Sequence, residues 1–426
     1  MVSFQPLPNF KGLSKLGPMA NLNPHLEKLS SYFFFQDVDQ KIKALQTKNP
    51  QAILLNLGLG DITKPLTPHL LSALCSASQE MGDKNTCTGY GPTQGYPFLR
   101  ETILYGEYRN LGISADEIFI SSGAKCDLAH LQELFALESK IGVTDPTYPV
   151  FLDANVMAGR TNFWSENDEC YDGFLPITCL EENEFLPLPP KTGCDLVYLC
   201  SPNNPTGAAL TRKELRKWVD WALEHRSVLL YDGAYEAYIS SEDCPHSIYE
   251  IEGAREVAIE IRSFSKSAGF TGLRCSYTVI PKTLLATLNG RETSLHSYWK
   301  RRQDLKFGGV PYPIQKCAAA IYSPEGQTEV KERIRIYQEQ TQFLLEGLKK
   351  IGLTVFGGIN APYIWCKTPQ NMSSWDFFNY LLEKAHVICI PGKGFGKSGE
   401  GYVRFSSFNN PQVLAEGLLR IKQTAI

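Results

Sequence analysis

Between about residues 117 and 280 the chain repeats one pattern that leaves few folds open: a short apolar run, then small, polar or aromatic residues. The runs fall at 117–120, 140–144, 195–200, 227–231, 256–261 and 274–280, with helix-like stretches between them. Near-continuous runs rich in Val, Ile and Leu suit strands buried on both faces of a mainly parallel sheet covered by helices. One connecting helix is specified locally. Thr211 and Glu214 have capping-box spacing, and Leu215, Trp218, Val219, Ala222 and Leu223 mark one apolar face. The stretch 150–195 is richer in Pro, Glu and Asn and reads as a surface excursion.

Outside this region the pattern changes. Residues 52–57 form an apolar run that ends in the turn Gly58-Leu59-Gly60-Asp61. From about 325, Val330, Ile334, Tyr337, Leu344, Leu345 and Leu348 make a long amphipathic stripe that stops at Gly352. Strand-like runs follow at 354–356, 361–367 and 387–390, with a helix over 373–384. The expected organisation is an arm and part of a small domain over 1–70, a large sheet domain over 71–312, and the rest of the small α+β domain over 313–426.

Several function classes are disfavoured. Lys and Arg total 42 against 45 Asp and Glu, a net charge of −3, whereas chains held to nucleic acid by phosphate neutralisation are usually basic. No apolar run approaches the ~20 residues that span a bilayer. The twelve cysteines are scattered and no two lie two to four residues apart, which argues against a zinc ribbon or redox pair. Reduced thiols and a cytoplasmic location are expected. The start, MVSFQPLPNFKGLSKLGPM, has neither an apolar h-region nor the Arg-rich character of a transit peptide. Gly394, Gly396 and Gly399 match G-x-G-x-x-G, but they lead into a strand pattern near the C-terminus, not into a helix of an early βαβ unit.

The chemistry sits at the ends of the runs. Ser121-Ser122-Gly123-Ala124-Lys125 follows the first and Asp145-Pro146-Thr147-Tyr148 the second. Ser201-Pro202-Asn203-Asn204-Pro205-Thr206-Gly207, Asp232-Gly233-Ala234-Tyr235 and Ser263-Phe264-Ser265-Lys266 follow later ones. Ligands of open α/β sheets bind outside the carboxyl ends of the strands, so one crevice would collect all five. A small-residue turn opening a helix, with Ser263, Ser265 and Arg274, suits a phosphate. Lys266 could form a Schiff base if burial lowers its pKa. Asp232 could hold a protonated ring nitrogen and Tyr148 could stack on a flat ring. Pyridoxal phosphate needs these parts. No metal site is expected.

SPNNPTG (201–207), Asp232 with Tyr235, SFSK (263–266) and Arg274 resemble the fold-type-I, class I/II aminotransferases. LGLGD (57–61), TGYGPTQGYPFLR (88–100), SGAKCD (122–127), DPTYPVFLD (145–153), SFSKSAGFTGLR (263–274), GGINAPYIWCKTP (357–369) and GFGKSGEGYVRFSS (394–407) are similar to the LL-diaminopimelate aminotransferase branch. The resemblance implies a pyridoxal-phosphate-dependent α/β transferase fold and a homodimer with shared active sites. It implies Lys266 as Schiff-base and proton-transfer residue, Asp232 at the ring nitrogen, Asn204 and Tyr235 at the phenolic oxygen, and Tyr148 on the ring. The phosphate would meet Ala124, Lys125, Ser263, Ser265, Arg274 and, from a neighbouring subunit, Tyr90. Arg404 would bind the substrate α-carboxylate, with Tyr32, Gly60, Lys125, Tyr148 and Asn204 on the substrate side.

Three positions depart from that branch: Ser122 where Asp is usual, Ser276 where Gly is usual, and Gly308 where Asn is usual. Gly308 and Ser122 leave open a related aminotransferase acting on lysine, glutamate or an aromatic amino acid. Plainer readings also stand beside the functional ones. Tyr32 in Tyr-Phe-Phe-Phe reads equally as an aromatic packed on the core, Lys125 as a first-turn helix residue, and Arg404 as a surface arginine. A transcription regulator with an aminotransferase-like domain is disfavoured, because the stretch before Tyr32 is short and lacks a basic recognition-helix pattern.

Overall fold

The computed structural model describes residues 20–29, 34–161, 164–165 and 170–424. Its centre is a seven-stranded sheet of β1 (Ile118–Ser121), β2 (Ile141–Asp145), β3 (Phe174–Thr178), β4 (Leu196–Cys200), β5 (Val228–Asp232), β6 (Ala258–Ser263) and β7 (Ser276–Val279), in the order β1-β7-β6-β5-β4-β2-β3. β7 runs antiparallel to both neighbours and the other pairings are parallel. β4, β5 and β6 are buried along their whole length, which is why they read as unbroken apolar runs.

Six of the seven strands match the expected runs, displaced by one or two residues. The displacement has a consequence: Asp145, Asp232 and Ser263 are the last residues of their strands, not the first of the loops. The seventh, β3, is a correction to the reading of 150–195 as a surface excursion. Pro176 sits inside it, and proline lacks the N–H that a central strand must donate. β3 is an edge strand, paired only with β2, where that loss is tolerated. The same stretch also holds a helix at Val150–Met157 and a short pairing of Trp164–Ser165 with Cys170–Tyr171.

The helix Arg212–His225 carries the expected capping box, with Glu214 N–H donating to Thr211 Oγ1. Leu215, Trp218, Val219 and Ala222 are buried, but Leu223 is exposed and Trp221 is buried in its stead, so the apolar stripe is rotated slightly from the one the periodicity suggests. The helix Pro324–Ile351 ends at Gly352, whose φ of 97° is the left-handed conformation of a C-terminal cap. The expected strand at 387–390 is split. Val387–Ile388 pairs with Leu55–Asn56, while Ile390–Pro391 joins a second, antiparallel sheet.

That second sheet comprises β8 (Val355–Gly357), β9 (Tyr363–Lys367), β10 (Ile390–Pro391) and β11 (Tyr402–Ser406), in the order β8-β9-β11-β10. Its core includes Val38, Leu55 and Leu57 together with Leu344, Leu348, Phe405 and Leu414. Residues from both ends of the chain thus share one apolar interior. Leu57 is fully buried against Gly417, where a Cβ would meet its Cδ2 at 2.8 Å. Leu57→Ala is expected to cost about 2–5 kcal/mol, read as a lower urea midpoint. Ile53→Ala, at an exposed position, should leave that midpoint nearly unchanged.

Candidate active site

Asp232 ends β5 with its carboxylate buried. Oδ2 accepts from the Tyr198 hydroxyl at 2.8 Å, and Oδ1 accepts from the Ala234 N–H at 3.0 Å. Burial raises its pKa to about 6 against the pull of these two donors. The group is therefore ionised at neutral pH, but with little margin.

Lys266 lies in the turn Phe264–Ser267, which begins directly after β6. Ser263 caps that turn by accepting from the Ser265 N–H at 3.1 Å. Lys266 Nζ donates to the Gly60 carbonyl and sits 5.5 Å from the centre of the Phe408 ring. Desolvation lowers its pKa to about 8, helped by Arg404 and Arg274 and opposed by Asp61. A lysine with this pKa supplies a useful fraction of neutral amine near pH 7.5, unlike a solvated one.

A second cluster surrounds Gly123, the residue before the helix Ala124–Leu131. Its φ is 122°, and a Cβ here would run into the Arg274 guanidinium, so both conformation and space demand glycine. Arg274 Nη1 donates to the Thr271 carbonyl at 2.9 Å and lies 3.5 Å from Ser265 Oγ. Ser276 Oγ accepts from the Gly123 N–H at 2.9 Å and shares a 2.6 Å hydrogen bond with Ser121 Oγ. Ser121 and Thr278 both donate to the buried Asp127 carboxylate. Ser276, one of the three departures, therefore braces the turn from beneath. Ala124 and Lys125 open the helix, where the first backbone N–H groups have no partner within it. The side chain of Lys125 is exposed and that of Ser122 half-buried.

The third cluster is built on Arg404 of β11, which is buried, not a surface arginine. Nη1 donates to Asn204 Oδ1 at 2.6 Å and Nη2 to the Gly58 carbonyl at 3.0 Å. The guanidinium carbon lies 4.4 Å from the Tyr363 ring centre and 5.1 Å from that of Phe395. Among the described residues its buried Nε has no acceptor, and buried donors are normally paired. Tyr363 also shares a 2.8 Å hydroxyl–hydroxyl hydrogen bond with Tyr235. Tyr148 lies close enough for Asp232, Tyr363 and Arg404 to affect it electrostatically, and burial raises its pKa to about 12.

The structure thus brings Gly60, Tyr148, Asn204, Asp232, Tyr235, Lys266 and Arg404 together, with Ser263, Ser265 and Arg274 clustered beside Lys266 and next to Ala124. Tyr90 is not among them; it is fully exposed. Tyr32 lies outside the described residues. Tyr363, Tyr198 and Phe408 were missed by sequence reasoning, although Tyr363 stands within the motif at 357–369. The stretch with Gly394, Gly396 and Gly399 forms two short 3₁₀ turns before β11, as expected of a chance match. Among the described residues no group of three His, Cys, Asp or Glu is placed to hold a metal, and no helix is long and apolar enough to cross a membrane.

The family model for aminotransferase class I and II matches residues 52–421. The chain is similar to an L,L-diaminopimelate aminotransferase from Chlamydomonas reinhardtii, with 40% identity and a TM-score of 0.90 over 95% of this chain and 99% of that one. Substrate-bound BacF from Bacillus subtilis is 29% identical, with a TM-score of 0.79 over 95% and 98% of the two chains. A Thermus thermophilus aspartate aminotransferase double mutant, 21% identical with a TM-score of 0.80 over 95% and 100%, shares the fold.

The lowered pKa of Lys266 can be measured without any ligand. Competitive labelling of the apoprotein with a trace amine-selective anhydride should show Lys266 titrating near pH 8, with solvated lysines near their ordinary value of about 10.4. A Lys266 midpoint above about 10 would contradict the desolvated environment.

Proposed function

Since the chain belongs to the aminotransferase class I and II family, we propose that this pyridoxal-phosphate-dependent aminotransferase moves an amino group between LL-diaminopimelate and 2-oxoglutarate. The products would be glutamate and, after ring closure with loss of water, tetrahydrodipicolinate, an intermediate of lysine and peptidoglycan synthesis. The observation that carries the chemistry is a single lysine amine held near neutrality within one crevice that also contains a buried carboxylate and a buried, under-satisfied guanidinium. The narrower substrate rests on the similarity to the algal enzyme over nearly both whole chains.

The residues fit the cofactor on the chemistry and close approach of the groups around Gly123. The glycine-lined turn beside Arg274, with Ser263 and Ser265, suits a phosphate. When bound, pyridoxal phosphate supplies an electron sink for the negative charge that develops at the substrate Cα. Asp232 would hold a proton on the ring nitrogen. Asn204 and Tyr235 would hydrogen-bond the phenolic oxygen, and Tyr148 would cover one face of the ring. Lys266 Nζ removes and returns the proton at the substrate Cα, a task for a base whose pKa lies near working pH. Arg404 receives the α-carboxylate through donors that planar guanidinium presents side by side, while Gly60, Lys125 and Asn204 border the substrate. Full exposure of Tyr90 supports a homodimer in which it reaches the partner's phosphate cup. Cysteines scattered along the chain, none two to four residues from another, suit a reducing, cytoplasmic setting.

One observation favours a broader donor range. A Cβ at Gly308 would meet nothing within 4 Å, so this position offers only backbone where the resemblance leads one to expect an asparagine side chain. Lysine, glutamate or an aromatic amino acid then becomes the alternative donor.

Two measurements test these readings. Borohydride should fix the cofactor covalently to the native protein and not to Lys266→Ala; a reducible adduct in the variant would remove Lys266 from its role. Single-turnover loss of the cofactor's visible absorbance, followed across donors, should be fastest for LL-diaminopimelate. Preference for a donor with one carboxylate would overturn the narrower substrate and leave the aminotransferase reading in place.

A further inference from the structure

The carboxylate of Asp232 has a neighbour that no motif supplies. Tyr198 lies in the middle of β4, and its phenol is buried among the strands. The register places Cys200 opposite Asp232 and Tyr198 opposite Leu230. Residues two apart in a strand share a face, so Tyr198 and Asp232 are diagonal neighbours on the same face of the sheet, within reach of a long side chain. Phe151 stacks on the Tyr198 ring at 5.1 Å between centroids and leaves it little freedom to swing away. The hydroxyl then donates to Asp232 Oδ2 at 2.8 Å.

We propose that Tyr198 is a positioning residue for Asp232: its hydroxyl keeps the carboxylate ionised and fixes its orientation toward the ring nitrogen of the bound cofactor. The inference rests on the reading of the site as a pyridoxal-phosphate crevice. The titratable groups that act on Asp232 are Tyr198 and Cys200 from β4 and Tyr148 from the loop after β2. Burial pushes all three pKa values up, so each stays neutral. The charge on Asp232 is therefore supported by dipoles, and the two that touch it are the Tyr198 hydroxyl and the Ala234 N–H. The Tyr198 phenol is itself pushed well above its ordinary value by burial and by Asp232, which keeps it a donor throughout the working pH range. A phenylalanine would fill the same space against Phe151, and it would withdraw one of the two donors.

The test uses the holoenzyme of Tyr198→Phe. The visible absorption of the bound cofactor is titrated against pH. With one donor gone, Asp232 becomes a stronger base and draws the proton away from the ring nitrogen. The ring then withdraws less charge from the nitrogen that joins it to Lys266. The titration midpoint is expected to move up by about half a pH unit or more, and the single-turnover rate to fall about tenfold with little change in KM. A ring-fluorinated tyrosine in place of Tyr198, a stronger donor of nearly the same shape, should move the midpoint the opposite way, and it serves equally if the phenylalanine variant does not fold. In an Asp232→Asn background the loss of the hydroxyl should have no further effect on the rate.

Unchanged midpoint and rate in a variant that loads cofactor normally would overturn the proposal, as would full additivity of the two substitutions. Failure of the native protein to form a borohydride-reducible adduct would instead overturn the proposed function itself.

Discussion

Parallel pairing of β2, β4, β5 and β6 is the constraint on which the crevice depends. Strands that run the same way in a common register end at a common edge, and their side chains leave the ladder at one level. Cys200 pairs with Asp232, and Asp232 with Ile261, two residues before Ser263. Residues far apart in the chain are therefore delivered to one line without any loop having to place them. The turns after the strands need only be short and specific. The Phe264–Ser267 turn, capped by Ser263, brings Lys266 back toward Gly60.

Within that line the protein tolerates unfavourable electrostatics. Asp232, Lys266 and Arg404 are all withdrawn from water to different degrees, and each is incompletely compensated. Among the described residues, Asp232 has two neutral donors and no bridging cation, and the buried Nε of Arg404 has no acceptor; burial lowers the pKa of the lysine amine. These costs make sense in a site completed by a ligand carrying a phosphate, a ring nitrogen and a carboxylate. The whole chain has a net charge of only −3, so local cations, not a basic surface, would meet such anions.

The sheet was legible in the sequence because burial on both faces leaves a strong local signal, and six of seven strands could be read from apolar runs. β3 was obscured by Pro176, which reads as a strand breaker until the strand is known to lie at an edge. Asp232, Ser263, Ser265 and Lys266, expected at the cofactor, could be read because they end a strand or follow one closely, whereas Tyr90 and Arg274 follow no strand at short range. What could not be read were contacts made across long separations. The Tyr235–Tyr363 hydroxyl pair spans 128 positions and the Arg404–Gly58 bond 346, and neither pairing leaves a periodic trace. Tyr198 was hidden differently: within an apolar strand run, a tyrosine looks like one more core aromatic.

The Asn204 loop is where the two sheets constrain each other. Gly207 has a φ of 73°, and a Cβ there would approach the Tyr363 carbonyl of β9 to 2.7 Å. Gly357 of β8 is pressed against the same loop, its Cβ position meeting the Thr206 carbonyl. The loop from β4 is thus seated on the backbone of the second sheet, and Arg404 of β11 reaches back from that sheet to Asn204. One asparagine therefore joins Arg404 of the second sheet to the loop that follows β4. A shift of the second sheet relative to the first would move Arg404 and Asn204 together. Under the proposed function, substrate carboxylate binding and ring orientation would be mechanically linked through this pair, so that binding energy of the carboxylate would help set the geometry of the reacting carbon.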